Sequence, residues 1–94
     1  MLESASPEVP PGEAVGQVVA FFAHPSVAIV QLTRGTLKVG DTLWIKGHTT
    51  DLKETVESME MDHQVVTEIK KGQEAGIKVS SKVRRNDRVY KIDA

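Results

Sequence analysis

The chain has 94 residues, the size of one domain with a single modest core. Hydrophobic residues make up 39% of it and aromatic residues only 4%, so the core has to come mainly from aliphatic side chains, whose β-branched members favour strands. The formal net charge of -1 gives no overall attraction to nucleic acid. The absence of cysteine excludes disulfides and thiolate metal sites, and no apolar run has the length of a membrane span.

Residues 1–13 are rich in proline, glutamate and serine and offer few side chains that can dock on a core. We therefore predict a flexible N-terminal arm over residues 1–13 and a folded domain over residues 14–94. The arm has neither a basic start nor an apolar stretch, so a secretory signal is not expected. Together with the absence of cysteine, this favours a cytoplasmic location.

The folded part begins with two strand-forming runs. The first extends from Val15 to Phe22 and the second from Val27 to Thr33, and a short break that contains Pro25 separates them. This pattern predicts an antiparallel hairpin.

A segment bracketed by two glycines follows. Gly35 and Gly40 can adopt the positive φ that sharp bends require. Leu37 and Val39 lie two residues apart, so we expect both side chains to point into the same core.

The middle of the chain is harder to interpret. A strand is predicted over residues 42–46 and a polar loop over residues 47–51. Residues 52–62 contain helix-favouring glutamate and methionine, but they also alternate, and we predict a strand because the flanking segments are strands. Residues 64–69 are predicted as a continuation of that strand or as a short strand of their own.

The last third alternates between turns and strands. Turns are predicted over residues 71–73 and 84–87, with Asn86 suited to a left-handed conformation, and strands over residues 74–79 and 88–92. About six short strands without a convincing helix predict an all-β barrel or sandwich.

Four segments, residues 16–19, 30–41, 72–79 and 84–90, occur in an order that is similar to domain 2 of elongation factor Tu and its relatives among translational GTPases. A similar module closes some collagenase-like peptidases and occurs as small stand-alone proteins. The most specific piece is a Gly-x-Leu-x-Val-Gly-Asp turn that ends at Asp41. The resemblance implies a small closed antiparallel β-barrel of about six strands.

The resemblance does not bring GTP hydrolysis with it. A phosphate-binding loop needs the spacing G-x-x-x-x-G-K-[ST], and the sequence contains no such motif, so neither GTP nor any other cofactor is expected. Members of the family often have glycine where this chain has Asn86, and asparagine can adopt the same left-handed conformation.

No catalytic or metal-binding group stands out in the sequence. His24, His48 and His63 are far apart and near predicted turns, which favours exposed positions over metal ligation. The acidic residues between Glu54 and Asp62 favour a solvated face over a pair of acid–base carboxylates. We therefore predict no catalytic residue, no metal site and no enzymatic activity.

The final third of the chain is basic, because residues 70–91 contain eight lysines and arginines and only two acidic residues, Glu74 and Asp87. These charges are either ordinary solvated surface or a site for phosphate groups, which bind clustered basic side chains by releasing counterions. Few aromatic residues lie nearby, so base-specific recognition is not expected. The predicted RNA-binding residues are Arg34, Lys82, Arg84, Arg85 and Arg88.

Two hypotheses of function follow. The leading one, which the resemblance implies, is a non-catalytic module related to translation that contacts tRNA, rRNA or the ribosome. The alternative is a protein-interaction accessory domain that serves a separate enzyme such as a collagenase-like peptidase, and the acidic stretch and the proline-rich arm support it. Neither hypothesis involves a membrane.

Overall fold

The computed structural model describes residues 14–92, and the arm predicted over residues 1–13 lies outside this range. All regular secondary structure of the described residues is strand, which confirms the all-β class. The strands are β1 (Gly16–Ala23), β2 (Ser26–Leu32), β3 (Thr36–Lys38), β4 (Thr42–Lys46), β5 (Asp51–Thr55), β6 (Met59–Met61), β7 (Gln64–Val66), β8 (Glu68–Lys70), β9 (Glu74–Lys78) and β10 (Arg88–Ile92).

Every strand pairing is antiparallel. Eight strands form one sheet in the order β5-β4-β10-β1-β2-β9-β6-β7, and β3 pairs with β8 in a second sheet. The long sheet is not closed by a ladder between β5 and β7, so the fold is barrel-like rather than the closed barrel of about six strands that we predicted. Backbone hydrogen bonds outside the ladders connect the segments between the sheets, from the Gly40 N–H to the Val56 carbonyl (2.8 Å) and from the Val39 N–H to the Thr67 carbonyl (3.0 Å).

The predicted N-terminal hairpin is confirmed. Strands β1 and β2 pair from Gly16 opposite Leu32 to Ala23 opposite Ser26, with an irregularity between Val18 and Ala20. The two runs of β-branched residues therefore pair as their composition indicates.

The ambiguous middle segment forms strands, as predicted, but it is divided into short pieces. Residues 56–58 interrupt it between β5 and β6. Asp62 and His63, both at positive φ (53° and 64°), then form a two-residue turn that joins β6 to β7. Because β7 pairs with β6 while β8 pairs with β3, residues 64–69 contribute to both sheets.

Both sheets share one hydrophobic core. Its fully buried side chains include Leu37 of β3 and Ile69 of β8, together with residues from most strands of the larger sheet. The prediction that Val39 accompanies Leu37 into the core is wrong, since Val39 is 41% exposed. Strand β3 ends at Lys38, and the chain turns towards Gly40, so the alternation of strand side chains stops before Val39.

Candidate functional site

The turn over residues 84–87 fixes the backbone from which the basic side chains project. The Asp87 N–H donates to the Arg84 carbonyl (3.1 Å), and the Arg84 N–H donates to Asp87 Oδ2 (2.8 Å). Asn86 has the predicted left-handed conformation, with φ of 76°, and its N–H donates to the carbonyl of Val18 in β1 (2.7 Å). The turn is therefore fixed both internally and against the sheet.

Asp87 joins this turn to the loop after β4. It is only 5% exposed, and its carboxylate packs against the Cα of Gly47, where any Cβ would overlap Asp87 Oδ1. The Arg84 Nε also donates to Thr49 Oγ1 of the same loop (3.1 Å). These contacts bring the end of β4 next to the start of β10.

The two segments line an open pocket of about 430 Å³ that we call the basic pocket. Its lining side chains are mostly cationic or histidine: Lys46, His48, Arg84, Arg85 and Arg88, with Gly47, Asn86 and Asp87 completing the wall. Lys46 Nζ lies 3.5 Å from Asp51 Oδ2, which partly compensates its charge. Within residues 14–92, neither Arg85 nor Arg88 has a side-chain hydrogen bond or ion pair, so both guanidinium groups can bind an anion.

The structure brings together only some of the residues predicted to bind RNA. Arg84, Arg85 and Arg88 line the basic pocket, whereas Lys82 and Arg34 are not among its lining residues. Arg34 follows β2, and its N–H donates to the Val15 carbonyl (3.2 Å).

Lys46 and His48 were missed by the sequence analysis. Lys46 lies opposite Arg88 in the ladder between β4 and β10, and the sequence carries no signal for the pairing of these two strands.

A second, larger depression of about 760 Å³ lies along β2, β9 and β6, and we call it the acidic groove. Val27, Ile29 and Gly76 contribute its apolar part. The charged and polar side chains that line it include Glu60, Asp62, His63, Glu74 and Lys78. Two of the carboxylates belong to the acidic stretch that we interpreted as a solvated face. The sequence did not indicate that the fold places them beside an apolar depression.

The three histidines are exposed, as predicted. In the described part of the chain, no three histidine or acidic side chains are arranged to hold a metal ion. No helix that is long and apolar enough to cross a membrane is found among residues 14–92.

Comparison with protein families identifies the fold family. The model of elongation factor Tu domain 2 matches residues 26–86. The chain belongs to this family. The resemblance inferred from the four ordered segments is thereby confirmed, and the elongation factor Tu domain 2 architecture accounts for the antiparallel, barrel-like arrangement of the strands.

The curated relatives of this elongation factor Tu domain 2 member are named as proteases. It is 44% identical over 77 residues to an uncharacterized protease of Methanocaldococcus jannaschii, a match that covers 81% of this chain and 19% of the relative. It is 35% identical over 80 residues to a collagenase of Porphyromonas gingivalis, covering 84% of this chain and 22% of the relative. The chain thus spans about a fifth of the length of the curated relatives it matches.

Solved structures show the same fold. The C-terminal domain of a Geobacillus thermoleovorans protein assigned as a U32 peptidase superposes with a TM-score of 0.79 at 18% sequence identity, covering 86% of this chain and 93% of that domain. A selenomethionine variant of the same domain gives a TM-score of 0.77 at 17% identity, covering 84% of this chain and 99% of that domain.

Proposed function

We propose that this chain is an accessory domain, without catalysis of its own, that serves a collagenase-like peptidase. The observation that carries the proposal is the 44% and 35% identity, along more than four fifths of this chain, to proteins named as a protease and as a collagenase. This favours the alternative hypothesis of the sequence analysis over its leading one.

The size of the match and the form of the surface support an accessory role. About four fifths of each relative lies outside the match and has room for the catalytic machinery. The two depressions described above open to solvent along strands and turns, a form that suits the binding of a chain segment. In the proposed role, the domain holds polypeptide substrate close to the catalytic part and raises its local concentration.

A domain exchange in the Porphyromonas gingivalis collagenase tests this proposal. We expect that deletion of the segment matching this chain raises the KM for a collagen-derived substrate while kcat for a short peptide changes little, since the lost contribution is binding. Insertion of residues 14–92 of this chain in its place should restore the KM. A deletion that leaves both constants unchanged would overturn the proposal.

A second candidate function is contact with RNA, which the basic pocket favours. The unpaired Arg85 and Arg88 lie beside Lys46 and Arg84, and such a cluster fits the phosphates of tRNA or rRNA and the ribosome surface. Since the pocket lining contains no phenylalanine, tyrosine or tryptophan, binding there would follow the backbone rather than the bases.

The salt dependence of tRNA binding tests this second candidate. The double variant R85E/R88E should weaken binding about tenfold or more. It should also make the negative slope of log K against log salt shallower by about 2, because two phosphate contacts are lost. K70E/K71E, which reverses the charge of two exposed lysines outside the pocket, is the matched control and should have a small effect. Equal effects of both changes, or tRNA binding at background in low salt, would exclude the basic pocket as an RNA site.

A further inference from the structure

The outer surface of the sheet beside the acidic groove carries several apolar side chains. Ala20, Ile29, Gly76, Glu60 and Val65 lie in register across five neighbouring strands, so their side chains share one face. On β2, β9 and β6 the neighbours of these residues along the strand are buried in the core, and on β1 and β7 Phe21 and Val66 pack against it, which places this row on the outside.

A second row on the same face adds to this surface. Phe22, Val27 and Lys78 lie opposite one another on β1, β2 and β9. Phe22 is 56% exposed, and Val65 of the first row is 73% exposed. These two side chains lie on the strands that flank the groove on either side, and large apolar side chains at such exposure are typical of binding surfaces.

Gly76 lies on the floor of the groove between Val27 and Ile29. A Cβ at this position would lie 3.2 Å from Val27 Cγ1 and 3.4 Å from Ile29 Cδ1, so these two side chains approach the glycine closely. Together the three residues form an apolar floor, which we call the recess at Gly76, and any larger residue there would displace its neighbours.

The charges around this recess select the ligand. Glu60, Asp62 and Glu74 line the groove, and Lys78 is the single lysine or arginine among its lining residues. Within the described part of the chain, none of these three carboxylates accepts a side-chain hydrogen bond or forms an ion pair. The groove therefore attracts a cationic group and repels phosphate, in contrast to the basic pocket.

The open edge of the long sheet lies one strand beyond the groove, since β7 follows β6. Strand β7 is the last strand of the long sheet, and its residues Gln64–Val66 contain neither lysine nor proline, which commonly prevent pairing with another chain. An extended peptide can bind such an edge through its main chain while its side chains enter an adjacent depression.

We propose that the acidic groove binds an extended polypeptide segment that carries a lysine or arginine between apolar residues. This inference rests on the proposed function, since the segment would belong to the polypeptide on which the peptidase acts. The apolar side chains of the segment contact Val27, Ile29 and the recess at Gly76, while its cationic group lies among Glu60, Asp62 and Glu74.

Binding of short labelled peptides to the full 94-residue chain tests the inference by fluorescence anisotropy. The probe is an acetylated and amidated peptide with a central arginine between valines, and its partner carries glutamate in place of that arginine. We expect the arginine peptide to bind at least about tenfold more tightly than the glutamate peptide. Equal binding of the two peptides, or binding of neither, would overturn the inference.

Two variants locate the site. Glu60→Lys should weaken the binding of the arginine peptide about tenfold. Gly76→Val should do the same, because the added side chain displaces Val27 and Ile29 at the floor of the groove, and circular dichroism will show whether this variant keeps its fold. Glu68→Lys is the matched control, because it reverses an exposed carboxylate on β8, outside the groove, and should bind as the unchanged chain does. Equal weakening by E60K and E68K would contradict the assignment even if G76V does not fold.

The outcomes separate this inference from the function on which it rests. If the domain exchange restores the KM of the collagenase but the peptides do not bind, the accessory role stands and the groove assignment fails. If the peptides bind as expected but deletion of the domain leaves the collagenase unchanged, the accessory role fails. If tRNA displaces the arginine peptide equally from the unchanged chain and from R85E/R88E, the groove binds nucleic acid, and the inference is overturned.

Discussion

Gly47 shows how one residue without a side chain can shape a site. The carboxylate of Asp87 occupies the position that a Cβ of Gly47 would take, while its Oδ2 accepts the Arg84 N–H that fixes the basic turn. We expect Gly47→Ala to lower the free energy of unfolding by about 1–3 kcal/mol, because the buried carboxylate is displaced and its hydrogen bond is lost. Urea unfolding followed by Trp44 fluorescence measures this change.

A double-mutant cycle tests the physical reason for this loss. In the Asp87→Ala background there is no carboxylate to displace, so G47A should cost only about 0.5 kcal/mol or less. If G47A is equally costly in both backgrounds, its effect arises from the backbone of the loop rather than from the contact with Asp87.

The turn between β6 and β7 contains two non-glycine residues in a backbone conformation that is slightly unfavourable for them. Asp62 and His63 both have positive φ, as a two-residue hairpin turn requires, although glycine is the preferred residue at the second position. We expect His63→Gly to stabilise the chain by about 0.5 kcal/mol, since relief of the left-handed conformation exceeds the added entropy of the unfolded chain. The melting temperature should then rise by about 3 °C.

Gly72 allows the reverse substitution, from glycine to alanine at positive φ, as a control for H63G. It has φ of 90°, and no heavy atom lies within 4 Å of the place that a Cβ would occupy, so Gly72→Ala changes the backbone preference without creating a clash. It should lower the melting temperature, whereas H63G raises it. A fall in both variants would show that His63 makes a compensating contact.

At the scale of elements, the hairpin of β4 and β5 carries a pH-sensitive contact. Trp44 Nε1 donates to Asp51 Oδ1 (2.6 Å), and Lys53 Nζ lies 4.3 Å from the centre of the Trp44 ring. The hydrogen bond from Trp44 is the main cause that lowers the pKa of Asp51 below its ordinary value of 3.8. Desolvation is the next largest effect and opposes it, while the charge and hydrogen bond of Lys46 and the charge of Lys53 lower the pKa further. The folded chain therefore holds this proton less tightly than the unfolded chain.

The sign of the resulting pH dependence follows from that difference. Asp51 contributes stability that is present above pH 3.8 and is lost as the pH falls through its lower folded pKa. In urea unfolding, the unchanged chain should have a higher free energy of unfolding than Asp51→Asn, and this difference should shrink as the pH is lowered from about 6 to about 3. NMR titration of the Asp51 carboxyl in Trp44→Phe should show its midpoint moving up towards the ordinary value, and an unchanged midpoint would contradict the role of the indole.

The elements that the sequence predicted well are those whose pattern is local. The hairpin of β1 and β2, the strand over residues 42–46 and the left-handed Asn86 follow from composition, alternation and turn chemistry. The division of residues 52–69 into four short strands does not, because each strand is too short to show its own alternation and β8 pairs with β3, about thirty residues earlier in the chain.

At the scale of the whole molecule, the same distinction applies to the two surfaces. Arg84, Arg85 and Arg88 were identified because they are close in sequence, whereas their neighbour Lys46 depends on the pairing of β4 with β10. The acidic groove combines β2, β6 and β9, which adjoin only in the folded sheet. Sites assembled across strands require the topology, and a single sequence contains little direct information about it.

That topology also predicts how the molecule unfolds. Leu37 in the small sheet is fully buried in the core shared with the large sheet, while Val39, two residues later, is 41% exposed. Leu37→Ala should therefore cost about 2–5 kcal/mol, a large part of the stability of a domain this size, while the control Val39→Ala should cost about 0.5 kcal/mol or less.

Because one core serves both sheets, the urea midpoint of L37A should shift equally by far-UV circular dichroism and by fluorescence of Trp44 in the large sheet. A Trp44 transition that stays in place while the circular dichroism midpoint falls would mean that the small sheet unfolds on its own.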